Sequence, residues 1–269
     1  MTELKALRLR IYQPHAHYRI PFTYQRRHTY PIPPYSTVIG LLCNVLGIKN
    51  PKGEGEPHEQ GCNDSNCTFC KLKKLKISIA GRFESKTTEY TWFRNLSKNS
   101  HIKRFGSTNI REINGYIEHI GGQSPVSIDI LNEVELFIYL AHDEAGFLTK
   151  IKDDLKNPTQ RLYPLHLGRA EDWIVFREEP TLVELQEKIP DGNYHHFFWI
   201  PAHYAQNGQT PGLRYRVPTL YKLTNGTRNF KYEEAFLNDG KIIGLKGYFD
   251  EQISMPVFFS KRLEHEAAK

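Results

Sequence analysis

Residues 17–48 read HYRIPFTYQRRHTYPIPPYSTVIGLLCNVLGI, and the two halves of this stretch have opposite composition. Residues 35–48 carry apolar side chains at spacings of three and four, which predicts a helix with one buried face. The two prolines just before this segment suit the entrance of a helix. Ser36 or Thr37 can cap the helix, and Gly47 is placed to end it.

The first half of the stretch, residues 17–34, is aromatic and basic. A helix start offers unpaired backbone N–H groups, and arginines beside it favour an anion, for which phosphate is the best candidate. The rings offer unpaired bases a surface for stacking. The candidate RNA-binding residues here are Arg19, Tyr24, Arg26, Arg27, His28, Tyr30, Tyr35, Ser36 and Thr37. A solvated basic loop before an ordinary core helix explains the pattern equally well.

Length and composition limit the possible classes of protein. The chain has 269 residues, 39% of them hydrophobic, which is enough for a core in one or two domains. Its formal net charge of +6 favours an acidic partner such as nucleic acid. No apolar run approaches the roughly 20 residues of a membrane span, and the start has no apolar core of a signal peptide. The four cysteines do not resemble a secreted disulfide framework, so we expect a cytoplasmic protein.

Hydrophobic periodicity predicts an α+β fold. The predicted elements are a strand (4–12), a helix (35–48), a strand (75–92), a strand (127–141), a helix (145–156) and a strand (172–177). This β-α-β-β-α-β order is typical of the ferredoxin-like fold, which RNA-recognition domains also use.

The rest of the chain suggests further subdivisions. We expect a ferredoxin-like domain over 1–178, with a Cys-rich insertion at 50–74, and a C-terminal β-rich subdomain over 179–262. Residues 263–269 look like an appended sequence or a frayed end. Residues 93–123 are polar and basic, and we expect a protruding β-hairpin or arm. The basic candidates for RNA contact on this arm are Lys98, Lys103, Arg104 and Arg111. A basic loop with no partner is the competing interpretation.

The insertion contains a possible metal site. Cys62, Cys67 and Cys70 have the spacing C-x4-C-x2-C, and His58 lies four residues upstream. Three thiolates and an imidazole on a short loop can form a tetrahedral, structural zinc site. Three free surface cysteines, or the remains of a degraded site, would give the same spacing.

Enzymatic motifs are scarce in the sequence. It contains no phosphate-cradling G-x-x-x-x-G-K-S/T loop, no G-x-S-x-G and no H-E-x-x-H. A metal-independent endoribonuclease would need a general base, a general acid and a cation for the phosphorane. Candidates for these roles are, in order, His28 or His17, Tyr24 or Tyr30, and Arg26 or Arg27. A loop that only holds phosphate would carry the same residues.

The strand at 4–12, the basic loop and the segment PPYSTVIGLLCNVLG (33–47) resemble one family of the RAMP superfamily. It is the family numbered five among the CRISPR-associated proteins, whose members hold the 5′ handle of the guide RNA (crRNA) in type I Cascade. The type I-B members are the most similar. Weaker similarity continues through LYPLHLGRAEDWIV (162–175) and the end of the chain.

The resemblance implies a non-catalytic RNA-binding scaffold in a ribonucleoprotein complex of antiviral defence. The guanidinium groups of Arg19, Arg26 and Arg27 would pair with phosphates, and Tyr24, Tyr30 or His28 would stack on bases. The implied partners are the crRNA 5′ handle, the Cascade backbone subunit reached by the arm or "thumb", the large subunit, and target DNA within the complex. A type I-C relative cleaves guide precursors, but type I-B systems use a separate endonuclease, which argues against activity here.

Overall fold

The structure is a computed structural model that describes residues 4–21, 23, 26–49, 67–95, 99, 102, 112–113, 116–117, 122–205, 211–224 and 227–261. These residues form a mixed α/β fold, with a mostly antiparallel sheet and few helices. The helices are α1 (Tyr35–Val45), α2 (Thr68–Lys73) and α3 (Ala145–Lys156), with a 3₁₀ turn at Ala202–Tyr204.

The strands are β1 (Leu4–Ala16), β2 (Arg26–Arg27), β3 (Lys76–Arg82), β4 (Ser85–Asn95), β5 (Glu112–Ile113), β6 (Tyr116–Ile117), β7 (Gly122–Ala141), β8 (Val175–Phe176), β9 (Thr181–Leu185), β10 (Gly192–Asn193), β11 (Phe197–Pro201), β12 (Leu213–Thr224), β13 (Thr227–Asn238), β14 (Lys241–Ile242), β15 (Tyr248–Asp250) and β16 (Met255–Val257).

The long strand β7 is the centre of the sheet, whose order is β12-β13-β11-β3-β7-β1-β8. The C-terminal half of β7 pairs antiparallel with β1 and β3, so that Ile138 lies between Leu9 and Ile79. Its N-terminal half pairs with β4 antiparallel and with β2 parallel. The break between β3 and β4 lies close to Glu133, whose φ of 53° interrupts the regular pleat. The ribbon predicted over 75–92 therefore exists as two consecutive strands on the same neighbour.

Helices α1 and α3 pack against one face of this sheet. The buried side chains of α1 include Val38, Leu42 and Val45, at the three- and four-residue spacing that predicts the helix. The helix ends where expected, because Gly47 follows with a φ of 68°. The predicted cap is wrong: Pro34 occupies the N-cap position in an extended conformation, and no side chain caps the helix.

A second core covers part of the opposite face of the sheet. It joins Phe137 and Tyr139 of β7 to side chains from the C-terminal part of the chain, including Phe198 and Phe258. Strand β11 pairs with β3, so β11, β12 and β13 extend the same sheet. The division of the chain at residue 178 stays a prediction.

The structure also bears on the second predicted helix and on the strand that follows it. The helix predicted at 145–156 is confirmed as α3. The strand predicted at 172–177 is reduced to the two residues of β8, and β9 also pairs with β1.

Strands β4 and β7 stay paired as far as Asn95 and Gly122, so they form the base of a hairpin. Among the described residues, no helix is both long and apolar enough to cross a membrane.

Candidate nucleic-acid interface

A single buried carboxylate, that of Asp129 on β7, lies at the centre of a cluster of basic side chains. Asp129 Oδ2 is 3.0 Å from His28 Nδ1 and 3.8 Å from Lys86 Nζ, and Asp129 Oδ1 is 3.9 Å from Arg26 Nε. The hydroxyl of Thr88 also faces Oδ1, at 3.4 Å. Two separate segments of the chain, residues 26–28 and 86–88, therefore converge on this carboxylate of β7, and we call Arg26, His28 and Lys86 the Asp129 cluster.

Strand register explains why these residues meet. Thr88 of β4 lies directly opposite Asp129, and Arg26 of β2 lies opposite Ser127. Side chains alternate between the two faces of a strand, so Lys86 shares a face with Thr88, and His28 continues from Arg26. The cluster is thus a consequence of pairing β7 with one strand on each side.

The charges of the cluster do not balance. Burial disfavours the ionised form of Asp129, but the hydrogen bond from His28 and the charges of Lys86, His28 and Arg26 outweigh it and lower its pKa. Asp129 is only 2% exposed, whereas Arg26, His28 and Lys86 are 62%, 45% and 52% exposed. Ion pairs of 3.8–3.9 Å at exposed positions are weak. One hidden carboxylate therefore orients cationic groups that remain available to an anion from solvent.

A buried hydrogen-bond network holds the backbone of Asp129 in place. His17 Nδ1 donates to the backbone oxygen of Asp129 at 2.8 Å, and the backbone N–H of His17 donates to Asp172 at 2.9 Å. The carboxylate of Asp172 also accepts from the guanidinium of Arg169. Gly168 makes this loop possible, since its φ is 112° and a Cβ there would lie 2.8 Å from Asp172 Oδ2.

His17 is a structural residue in this network. Burial lowers its pKa, the hydrogen bond to Asp129 only partly opposing that effect, and the residue is 4% exposed. Its Nε2 is a buried atom without a hydrogen-bond partner within the described part of the chain. RNA cannot reach this ring, so the prediction of His17 as a candidate general base is wrong.

The predicted arginines of the basic loop are placed differently from one another. Arg19 is exposed and donates to the backbone oxygen of Thr23 at 2.9 Å. Arg27 follows Arg26 on β2, so its side chain leaves the opposite face of that strand, and it is half-buried. Burial, followed by the charge of Arg19, lowers the pKa of Arg27. Arg26 and Arg27 therefore cannot grip the same phosphate as a pair.

Tyr30 and Tyr35 are core residues. Tyr30 is buried and meets Trp199 and Tyr215 edge to face, at centroid distances of 5.7 and 6.0 Å. Burial raises the pKa of Tyr30 to about 12. Tyr35 is fully buried, and burial raises its pKa well above the ordinary value. The predicted contacts of these two rings with RNA are wrong, because their surfaces are already covered by protein.

The start of α1 is also covered. The indole of Trp199 donates to the backbone oxygen of Pro33 at 2.9 Å, and Pro33, Pro34 and Tyr35 are all buried. Ser36 and Thr37, the remaining predicted contacts here, are half-buried. The structure contradicts the predicted open phosphate site at this helix start, since the C-terminal strands pack over it.

The basic residues of β1 are paired with carboxylates. Arg8 is buried and donates to Asp250 at 2.8 Å, and Arg10 lies 2.6 Å from Glu135. Arg82 of β3 shares the same Glu135 at 2.9 Å. Glu178 also lies 2.9 Å from Arg8, so these three arginines face three carboxylates, whereas the basic side chains of the Asp129 cluster share one.

Sequence reasoning missed four exposed side chains of β4. Lys86, Thr88, Tyr90 and Trp92 recur at every second position, so they share the face of the Asp129 cluster. All four are exposed. The alternation in K-T-T-E-Y-T-W was readable as a strand with one basic and aromatic face, but nothing in it shows that Asp129 lies opposite Thr88.

The remaining predicted site residues divide into two groups. Tyr24, Lys98, Lys103, Arg104, Arg111, His58 and Cys62 lie outside the described residues. Cys67 is the N-cap of α2, and its Sγ accepts a hydrogen bond from the backbone of the buried Cys70 at 3.4 Å. Within the described ranges, no group of three or more His, Cys, Asp or Glu side chains is placed to hold a metal ion. Because two of the four predicted ligands are outside these ranges, the zinc site stays a prediction.

Comparison with known proteins identifies the class of protein to which this fold belongs. Residues 6–221 match a model that describes a CRISPR-associated protein, and this match spans most of the chain. The chain belongs to that family, Cas5. No sequence among the curated proteins matches the chain.

A solved structure shares this fold at low sequence identity. The chain is similar to a component of a structure described as a "CRISPR RNA-guided surveillance complex", with a TM-score of 0.53 and 12% identity over 88% of this chain and 90% of the other. A type III-B Cmr-beta structure bound to target RNA has a TM-score of 0.41, with 12% identity over 90% and 86%. A CRISPR protein from Archaeoglobus fulgidus has a TM-score of 0.40, with 12% identity over 96% and 100%.

Proposed function

We propose that this Cas5 protein is a non-catalytic, RNA-binding scaffold subunit of a type I CRISPR Cascade complex, in which it holds the 5′ handle of the crRNA. Family membership supports a role in a CRISPR complex. The implied partners are the crRNA, the backbone and large subunits, and target DNA within the complex. In such complexes base pairing reads the target sequence, while protein reads the RNA backbone and shape.

The Asp129 cluster is the observation that carries the proposal. Arg26, His28 and Lys86 surround one buried carboxylate and are each about half exposed, which suits the binding of phosphates along a backbone. The neighbouring Arg19 adds an exposed guanidinium at the same loop. A structural ion-pair site would instead match each cation with a carboxylate, as the buried Arg8 is matched with Asp250 and Glu178.

The strand order supports a ferredoxin-like core as part of this proposal. Strands β3, β7, β1 and β8 are neighbours in this order, and each adjacent pair is antiparallel. Helix α1 follows β1 in the chain, and α3 follows β7. This corresponds to the β-α-β-β-α-β pattern, in which the two halves of the motif interleave in one sheet.

Charge reversal tests the proposed function. The double variant Arg26→Glu, Lys86→Glu should bind synthetic 5′-handle RNA, made from the repeat of the neighbouring CRISPR array, at least about tenfold more weakly at 0.1 M salt. The slope of log K against log salt should fall by about 0.7 for each phosphate that the variant no longer binds. The matched control is Lys5→Glu, since Lys5 is also exposed but lies near the far end of β1, 3.7 Å from Glu184. Unchanged affinity in the double variant would falsify the assignment.

A metal-independent endoribonuclease is the second candidate, and one contact favours it. The bond between His28 Nδ1 and Asp129 Oδ2 holds the ring in one orientation and leaves Nε2 as the nitrogen for a proton transfer. Incubation of repeat RNA with the protein in EDTA distinguishes the candidates. A discrete product that disappears in His28→Ala supports cleavage, whereas intact RNA in the parent supports binding alone.

The zinc site is a separate proposal, with His58, Cys62, Cys67 and Cys70 as ligands. A structural zinc would tie the segment before α2 to the rest of the chain. Metal analysis of the purified protein should find one zinc per chain and a loss of that zinc in Cys67→Ser, Cys70→Ser. A parent protein that contains no zinc would remove this proposal.

A further inference from the structure

Two large aromatic side chains of β4 are left uncovered beside the Asp129 cluster. Tyr90 is 81% exposed and Trp92 is 64% exposed, although both belong to a paired strand. Their partners across the strand pair, Ser127 and Pro125 of β7, are too small to cover the rings. Isolated exposed apolar residues are common, but two consecutive rings on one face of a strand form a patch.

The two rings continue the cluster along the same face. Thr88 lies opposite Asp129, and the alternation from Lys86 through Thr88 to Tyr90 and Trp92 keeps all four side chains on that side of β4. The row therefore begins with a cation and ends with two rings. Glu89 leaves the other face, where Arg169 lies 3.9 Å from its carboxylate. The carboxylate of Glu89 therefore does not lie on the face that carries the rings.

The distance between the rings limits what they can hold. Residues two apart on a strand are separated by about 6.6–6.8 Å, whereas stacked bases along a nucleic-acid strand are about 3.4 Å apart. Two bases stacked on each other cannot each lie on one of these rings. Two neighbouring bases that are unpaired and splayed can do so.

We propose that Tyr90 and Trp92 form a stacking platform for two consecutive unpaired bases of single-stranded RNA, while Lys86 and Arg26 bind the phosphates beside them. The proposal rests on the proposed function and extends it to the class of RNA that the site accepts. Stacking on aromatic rings is tolerant of sequence, because every base has a π-face. The platform therefore selects for unpaired, flexible RNA and against a duplex.

Three defined probes test the platform: the octamer rA8, an abasic ribose-phosphate octamer and an eight-base-pair RNA duplex. The parent should bind rA8 more tightly than either of the other two. Tyr90→Ala, Trp92→Ala should lower rA8 affinity by about tenfold or more, to the level of the abasic octamer, whose own affinity should not change. The matched control is Tyr163→Ala, Trp173→Ala, which removes two rings of similar exposure, 65% and 67%, from other segments.

Fluorescence gives an independent measurement. In a Trp173→Phe background, Trp92 is the exposed tryptophan, because Trp199 is fully buried. Binding of rA8 should quench its emission, and the abasic octamer should not.

The outcomes separate the two proposals. An rA8 affinity that is unchanged in Tyr90→Ala, Trp92→Ala overturns the platform, even if Arg26→Glu, Lys86→Glu loses binding to every single-stranded probe. Failure of the parent to bind rA8, with its binding of 5′-handle RNA intact, overturns the platform alone, whereas failure to bind the handle RNA as well overturns the proposed function too. Unchanged RNA binding, combined with loss of co-purifying Cascade subunits in the ring variant, would make the rings a protein contact and also overturn the platform.

Discussion

His28 Nδ1 lies 3.0 Å from Asp129 Oδ2, and this contact joins the basic loop to the central strand of the sheet. The two residues are 101 positions apart in the chain. Their contact fixes the loop at the place where β4 and β2 flank β7, so Arg26 of the loop and Lys86 of β4 gather around the same carboxylate. The proposed RNA site depends on that convergence.

Removal of the charge of Asp129 should change the pH dependence of the unfolding free energy. The pKa of this carboxyl is lowered from 3.8, so the stability it contributes is present above that pH and is lost as the pH falls through the lower, folded-state pKa. Asp129→Asn should therefore be less stable than the parent at pH 7, and the difference should shrink below about pH 4. Urea unfolding at pH 7 and pH 3 measures this difference. The same difference in unfolding free energy at pH 7 and pH 3 would contradict the prediction.

Glu233 should show the opposite dependence. Burial raises its pKa to about 7, although the hydrogen bond from the backbone N–H of Lys261 and the charge of Lys261 oppose that effect. The neutral form suits the folded state, so this stability is complete below pH 4.5 and is lost as the pH rises through 7. Glu233→Gln should match the parent at about pH 4 and be more stable at about pH 8, as measured by urea unfolding. Glu234→Gln is the control: Arg214 lowers the pKa of Glu234, so no gain at the higher pH is expected.

Tyr30 is buried and Tyr90 is exposed, so the two tyrosines should respond differently to truncation. Tyr30→Ala removes a ring packed on Trp199 and should cost about 3–5 kcal/mol of unfolding free energy. Tyr90→Ala removes an exposed ring and should cost no more than about 0.5 kcal/mol. Tyr30→Phe, which keeps the ring, should bind handle RNA as the parent does. Weaker RNA binding by Tyr30→Phe, with the fold intact, would restore Tyr30 as a contact residue.

Gly168 should be intolerant of a side chain. A Cβ at this position would lie 2.8 Å from Asp172 Oδ2 and 2.9 Å from the backbone oxygen of His17, and the φ of 112° is unfavourable for other residues. Gly168→Ala should lower the unfolding free energy by about 1–3 kcal/mol. Gly40→Ala is the matched control, since no atom lies within 4 Å of its Cβ position in α1, and it should gain about 1 kcal/mol. Thermal unfolding of both variants would decide the matter.

Much of the fold was predictable from local pattern. The apolar spacing of residues 35–48 predicts α1, and the alternation around residue 136 predicts β7, because each pattern reports which face of one element is buried. The pattern could not tell that β3 and β4 are consecutive strands on a single neighbour. Register between distant segments depends on pairing along the whole of β7, which no short window contains.

The candidate site was predictable only in part. The composition of the loop points to Arg26 and His28, which the structure places beside Asp129. The same composition also points to Tyr30, which packs on Trp199 instead. A tyrosine in a basic loop has the same local context whether it faces solvent or core, so only the packing of β11 over the loop separates the two outcomes.

The sequence alone therefore determined the types of the main elements and the basic, aromatic character of the loop, since both follow from side chains close together in the chain. Only the tertiary structure decided which of those side chains meet a common partner and which are buried. The reason is that Asp129, Lys86 and Arg26 become neighbours through strand pairing, and exposure depends on whatever packs over a residue from elsewhere in the fold.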